Sequence, residues 1–180
     1  MGDEFGLGNR KDDISPEELG SLLFSCADRW ASRDAQNPGF LESVRANTTV
    51  DRDNLTQELL IAIMYAAMNV VMRKIKAEDK AFRVLDSMNN AFINRWKPED
   101  RQKAQLFIGV RYSEYEDAQS EKRGPNQLWP LSHHILRNVL GKEAIEETPL
   151  DAVTMTSIVA YYSGRVIAFD EVLSQLRITS

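Results

Sequence analysis

The densest group of polar and aromatic side chains in the sequence runs from Arg111 to Asp117. On a helix, residues three or four positions apart share a face, so Arg111 lies with Phe107 and Tyr115 against an apolar stripe. A charge in that position needs a partner, and two interpretations follow. In the first, the stem of Arg111 covers the core while its guanidinium pairs with a surface acid. In the second, Arg111 and the tyrosines form the polar end of an internal pocket for an anionic small molecule.

The C-terminal part of the chain offers a counterpart for such a pocket. Arg165 follows Gly164 and lies near Tyr161 and Tyr162 in the sequence. We expect Arg165 to face Arg111 across a helical bundle. The ligand-binding hypothesis therefore names five side chains: Arg111, Tyr115, Tyr162, Arg165 and His133.

The two histidines are adjacent, at positions 133 and 134. A di-iron carboxylate site needs a Glu-x-x-His pair on each of two helices, so this sequence excludes it. If the apolar face of their helix is centred between Ile135 and Val139, His134 points into solvent and His133 lies at the edge of the core. The functional alternative makes His133 a single ligand to a haem or a metal ion. No second ligand is indicated, and we predict neither a metal site nor a cofactor.

Recognised catalytic motifs are missing from the sequence. It contains no Gly-x-Ser-x-Gly elbow, no phosphate-binding Gly-x-x-x-x-Gly-Lys loop, and no dinucleotide-binding Gly-x-Gly-x-x-Gly after a strand. Cys26 is the only cysteine, so it forms no internal disulfide and we expect it to be a small buried residue. A remaining catalytic interpretation uses Glu114, Tyr115 and His133 as its polar groups, without a named reaction.

Charge is unevenly distributed along the chain. With 22 basic and 27 acidic residues, the net charge is −5, which provides no general basic surface for nucleic acid or an anionic membrane. Residues 73–103, the basic segment, nevertheless hold 9 basic and 5 acidic side chains. Aromatic residues beside Lys and Arg are typical of phosphate contact and base stacking. The segment is either a solvated helix face or a surface for a protein or nucleic acid, with the candidate contacts Arg73, Lys76, Lys80, Arg83, Arg95 and Trp96.

The elements that would position these residues are helices. Gly and Pro number only 9 and 6, few for a fold rich in tight turns. Ser15-Pro16-Glu17-Glu18 has the spacing of a capped helix start. Asp53 can cap a second helix through Lys76 that is apolar on every side and must lie centrally. A helix from Pro98 carries a further set of apolar residues: Leu106, Phe107, Val110, Tyr112, Tyr115 and Ala118.

The sequence therefore predicts one all-α domain over residues 15–180. It is a compact bundle of six or seven helices around the apolar helix 53–76, with a long C-terminal helix that contains Gly164. No window alternates apolar and polar residues as a strand does, so we expect no strand-containing fold. Residues 1–14 are predicted to be a flexible acidic arm.

The sequence favours a cytoplasmic protein. The arm lacks the apolar run of a secretion signal. Two uncharged stretches, Leu59 to Met72 and Ala152 to Gly164, are 14 and 13 residues long, which is shorter than the roughly 20 residues that cross a bilayer. Each is expected to be a buried helix.

By elimination, the predicted function is non-catalytic. We expect a helical protein–protein interaction or assembly module that binds a protein partner or itself, because long apolar helical stripes supply both a core and an interface. One alternative is a small-ligand-binding bundle with an internal pocket. The other is an accessory nucleic-acid-binding subunit that uses the basic segment.

Overall fold

The computed structural model of this chain describes residues 12–44, 51–121, 128–141 and 152–179. Within these ranges, seven α-helices are accompanied by one short parallel pair of strands, and the predicted all-α bundle is confirmed. In chain order the elements are β1 (Asp12–Ile14), α1 (Pro16–Asp34), α2 (Pro38–Ser43), α3 (Arg52–Lys74), α4 (Glu78–Ile93), a 3₁₀ turn (Pro98–Asp100), α5 (Arg101–Ser120), α6 (Trp129–Leu140), α7 (Ala152–Gln175) and β2 (Leu176–Ile178).

Helix α3 lies at the centre of the bundle, as predicted. The predicted cap, Asp53, is wrong: Asp51 caps the helix, because its carboxylate accepts a 3.0 Å hydrogen bond from the backbone N–H of Asp53. Every side chain from Leu59 to Ala67 is buried. The predicted bounds, 53–76, are wrong by only one or two residues at each end. By length and composition α3 also qualifies as a membrane-crossing helix, and 72% of its most apolar window is buried inside the protein. The core helix of a bundle meets the same two criteria.

Helices α1 and α4 share the most extensive contact of any two described helices. Helix α1 begins with the predicted capping box, in which the Ser15 hydroxyl and the Glu18 carboxylate each accept a backbone N–H of the other residue, at 3.2 and 3.0 Å. Gly20 then faces α4, where a Cβ atom would lie 2.3 Å from the backbone oxygen of Val84. Contact at this distance requires a residue without a side chain.

The two ends of the described chain meet in the small ladder. Asp12 pairs with Leu176 and Ile14 with Ile178, in parallel, and the backbone N–H of Thr179 donates to the oxygen of Ile14 at 3.0 Å. These strands were not predicted, because three residues are too few to show an alternating pattern. Residues 1–11 of the predicted arm lie outside the described residues.

Helix α5 carries apolar side chains on two opposite faces. Ala104, Ile108, Tyr115 and Ala118 are buried, whereas Leu106 and Val110 are 65% and 54% exposed. The apolar pattern of the sequence put Leu106 and Val110 in one group with the core residues Tyr115 and Ala118. The structure separates them, because only one face of α5 packs against the bundle.

Candidate functional site

Arg111 is held by a carboxylate of the central helix. Its Nε and Nη2 atoms donate to Glu58 at 2.6 to 3.1 Å, and the two side chains are 19% and 2% exposed. Burial raises the pKa of Glu58, and hydrogen bonding to Arg111 opposes that rise. Burial also lowers the pKa of Arg111, but its bonds to Glu58 outweigh this effect and raise it. The guanidinium of Arg111 therefore faces a protein carboxylate and presents no open anion site.

The network continues from α5 to α6 through Glu114. Nη1 of Arg111 donates to Oε2 of Glu114 at 3.0 Å. The same carboxylate accepts the amide of Asn138 at 3.1 Å and the guanidinium of Arg137 at 3.4 Å. Two arginines and two glutamates thus neutralise each other across α3, α5 and α6.

Three polar atoms on α5 and α6 are buried without a hydrogen bond: the hydroxyls of Tyr115 and Ser132, and Nδ1 of His134. Burial raises the pKa of Tyr115 well above its ordinary value and lowers the pKa of His134. Both groups therefore remain neutral near pH 7. Tyr115 also packs edge-on against Tyr65 of α3, with 5.3 Å between the ring centroids, which makes it a core side chain.

Arg165 belongs to a separate network between α1 and α7. Its guanidinium donates to Asp34, a residue only 5% exposed, and the Tyr161 hydroxyl donates to the same carboxylate at 3.1 Å. The guanidinium also stacks between two rings, 4.9 Å from the centroid of Trp30 and 4.8 Å from that of Tyr161. Arg165 is therefore held by one carboxylate and by two aromatic rings, while its Nε is buried without a hydrogen bond.

Among the described residues, the predicted ligand-binding side chains are divided between separate polar contacts. Arg111 pairs with Glu58 and Arg165 with Asp34, while the Tyr162 hydroxyl accepts the amide of Asn69 at 3.0 Å. These three polar groups are used in three different contacts between helices, whereas the Tyr115 hydroxyl has no hydrogen bond and His133 is exposed. A ligand entering the bundle would have to break these contacts.

The histidines have the opposite orientation to the one expected. His133 is exposed, and His134 is half-buried beside the Glu114 network. The expected orientation was wrong because the buried face of α6 extends to Asn138, one turn beyond His134. Within the described ranges, no three His, Cys, Asp or Glu side chains come together as a metal site would require.

Most cations of the basic segment pair within the protein. Arg73 and Lys74 bind Asp170 at 2.6 and 2.8 Å, and Arg83 binds Glu17 through two hydrogen bonds of 2.8 and 3.1 Å. Three other contacts of the segment join Arg95 to Asp28, Lys103 to Asp100, and Lys76 to the backbone oxygen of Arg73. Lys80 is half-buried. The acids outside the segment therefore balance much of its charge.

Trp96 and Arg95 lie at a cleft of about 620 Å³ between α1, the start of α3 and the end of α4. Two acids, Asp53 and Asp100, face the cleft together with the cations Arg95 and Lys97. The opposite charges give the cleft no preferred sign of ligand. Its remaining lining is largely polar: Ser32, Gln36, Thr56, Gln57, Leu60 and Phe92.

The outer face of α5 is uncharged and exposed along three turns of the helix. It consists of Gln102, Gln105, Leu106, Gly109, Val110 and Ser113, all of them exposed. These residues follow the spacing of one helical stripe, contain no charge and border an open groove of about 580 Å³. A Cβ atom on Gly109 would meet nothing within 4 Å. Leu106 and Val110 thus leave apolar area exposed that contact with another protein surface would bury.

Any functional argument rests on this geometry, because no protein-family model, curated protein or solved structure matches the chain. Sequence reasoning missed Glu58 and Asp34, the acids that hold Arg111 and Arg165. A signal for Glu58 was present, since it is the only charged residue between Asp53 and Arg73. The outer face of α5 was missed because Leu106 and Val110 also fit the apolar pattern of a core stripe.

Proposed function

We propose that this protein is a non-catalytic helical assembly module that binds a protein partner through the outer face of α5. The observation that carries the proposal is the uncharged stripe centred on Leu106, Gly109 and Val110, which lies exposed on a helix whose other face is already packed. Leu106 has 65% of its surface exposed. A partner that covered it would gain the free energy of burying apolar area.

The internal polar residues support a structural role over a ligand-binding one. Arg111 and Arg165 are each paired with a buried carboxylate. The nucleic-acid alternative is less favoured, because Arg73, Arg83 and Arg95 bind acids of the same chain. Phosphate contacts would have to compete with these ion pairs.

Site-specific photo-crosslinking tests the proposal, since it captures a partner whatever its identity. A benzophenone amino acid replaces Leu106 in one variant and Ile167 in another, and both variants are expressed in the native host. Ile167 is the matched control, since it is an aliphatic residue 58% exposed on a different helix, α7. The measurement is the yield and mass of cross-linked protein after irradiation.

We expect a discrete adduct from position 106, little from position 167, and loss of the adduct when Val110→Glu is added. A glutamate in the uncharged stripe would have to be buried without a partner, which is costly. Equal yields at the two positions, or no adduct at position 106, would contradict the proposal.

A further inference from the structure

We infer that the partner is a second copy of this chain, and that two α5 helices cross antiparallel with a two-fold axis passing between residues 107 and 108. This inference rests on the proposed function and specifies its partner. An uncharged apolar stripe alone would also fit a different protein, so the inference depends on features of α5 that match a copy of themselves.

The outer face of α5 is self-complementary in position. About a centre between residues 107 and 108, residue 102 lies level with 113 of the other copy, residue 105 with 110, and residue 106 with 109. Leu106 of one copy therefore lies over Gly109 of the other. Because a Cβ at Gly109 would have open space around it, the leucine of the second copy can approach the backbone there. A two-fold interface requires this kind of match: when a residue of one copy contacts a second residue of the other copy, the reverse contact forms as well.

The charges that flank the stripe are arranged for the same packing. Arg101 lies just before the stripe and Glu116 one turn after it, both exposed. At 100° per residue they project from the same side of the helix as Gln105. Side chains on the same side meet in an antiparallel pair, so Arg101 of each copy faces Glu116 of the other. Neither side chain forms an ion pair with another described residue.

The interface is small. Helix α5 has 20 residues, so it is about 30 Å long, and a single pair of such helices buries an area at the low end of specific interfaces. We therefore expect a dimer that dissociates on dilution. Sedimentation equilibrium measures its dissociation constant on the full chain.

Charge reversal at Arg101 and Glu116 tests the antiparallel arrangement. In low salt, we expect Arg101→Glu and Glu116→Arg each to weaken the dimer about tenfold, and the double variant to recover most of the loss. The two single variants shift the net charge in opposite directions. If only overall repulsion mattered, Glu116→Arg would strengthen the dimer of this acidic protein instead.

A glycine substitution provides a second test that does not depend on charge. Gly109→Ala should weaken the dimer, because its methyl group fills the space that Leu106 of the other copy occupies. Gly164→Ala is the matched control, since Gly164 is also helical, exposed and surrounded by open space. Both substitutions raise helix propensity, and only the first should change the dissociation constant.

The outcomes separate this inference from the proposed function. A dimer that is insensitive to Arg101→Glu, or a double variant without recovery, would overturn the antiparallel arrangement while the outer face of α5 remained an interface. A monomer at all concentrations whose position 106 still cross-links to a different protein would overturn self-association alone. Failure of the cross-link at position 106 would overturn both.

Discussion

At the scale of single residues, this protein uses its arginines to join helices. Arg111 binds Glu58 of α3 and Glu114 of α5 itself, and Arg165 of α7 binds Asp34 of α1. The carboxylates of Glu58 and Asp34 are almost completely buried. Removing one member of such a pair leaves a buried charge without a partner, which is more harmful than removing both.

This asymmetry gives a prediction for Arg111. Arg111→Met should lower the free energy of unfolding by about 3–5 kcal/mol, because Glu58 stays buried without its partner. Adding Glu58→Gln to that variant should restore part of the loss. Chemical denaturation at neutral pH measures both differences, and a double variant less stable than Arg111→Met would contradict the account.

The same pair of variants has a defined pH dependence. Burial already raises the pKa of Glu58 above 4.5 in the folded protein, and loss of Arg111 raises it further. A raised folded pKa means that protonation favours the folded state. The stability difference between Arg111→Met and the double variant should therefore shrink as pH falls through the raised pKa towards 4.5, and denaturation curves across that range check it.

The sequence could predict the need of Arg111 for a partner but not the identity of that partner. The i, i+4 rule places Arg111 beside Tyr115 on the apolar side of its helix. Glu58 lies 53 positions earlier, and which turn of α3 faces α5 depends on the packing of the whole bundle. Arg165 and Asp34 are 131 positions apart, so the prediction that Arg165 faces Arg111 had no local signal to correct it.

At the scale of elements, capping and apolar periodicity determined what could be predicted. Ser15 and Pro16 begin α1 as their spacing indicates, and the uninterrupted apolar run of α3 identified the central helix. Gly141 follows the last residue of α6 with a φ of 87°, a conformation that favours glycine. The exposed face of α5 could not be predicted, because periodicity shows that a stripe is apolar and does not show what covers it.

Gly20 determines how closely α1 and α4 approach. A methyl group there would lie 2.3 Å from the backbone oxygen of Val84 and 2.6 Å from Cβ of Ser87. Both of these atoms are fixed to the backbone of α4, so neither can move aside as the end of a flexible side chain would. The contacts of the Ser87 hydroxyl with the backbone oxygen of Glu17, at 2.8 Å, and with Ser21, at 3.3 Å, depend on the same approach.

We therefore expect Gly20→Ala to destabilise the protein by about 3 kcal/mol, since the helices must separate. The control is Gly164→Ala, which should stabilise it by up to about 1 kcal/mol because an exposed helical glycine has open space around it. Thermal or chemical denaturation distinguishes the two. Equal effects of the two substitutions would contradict the close contact between α1 and α4.

At the scale of the whole molecule, the uneven charge along the sequence becomes a set of contacts between helices. The basic segment follows an acidic first part of the chain, and Arg83 and Arg95 of the segment pair with Glu17 and Asp28 of α1. Arg73 binds Asp170 near the other end of the chain. These pairs are exposed and each contributes little stability. Together they favour one arrangement of the helices around α3.

Hydrogen exchange should reflect this arrangement. Amides of α3 between Leu59 and Ala67 should exchange slowest, through global unfolding, because their side chains are buried on every side. Amides of the short strands should exchange fastest among the regular elements. Mass spectrometry of exchanged peptides measures the order, and exchange in α3 as rapid as in the strands would show that α3 is not the centre of the stable core.

The parallel pairing of β1 and β2 also has a mechanical consequence. Asp12 lies beside Leu176 and Ile14 beside Ile178, so a force that pulls residue 12 away from residue 178 acts in opposite directions along the two strands. Such a force shears the ladder, and its hydrogen bonds must break together. Thr179 adds two more contacts to the oxygen of Ile14, at 3.0 and 3.2 Å. Tension applied between residues 12 and 178 therefore acts on these hydrogen bonds before it reaches the helices.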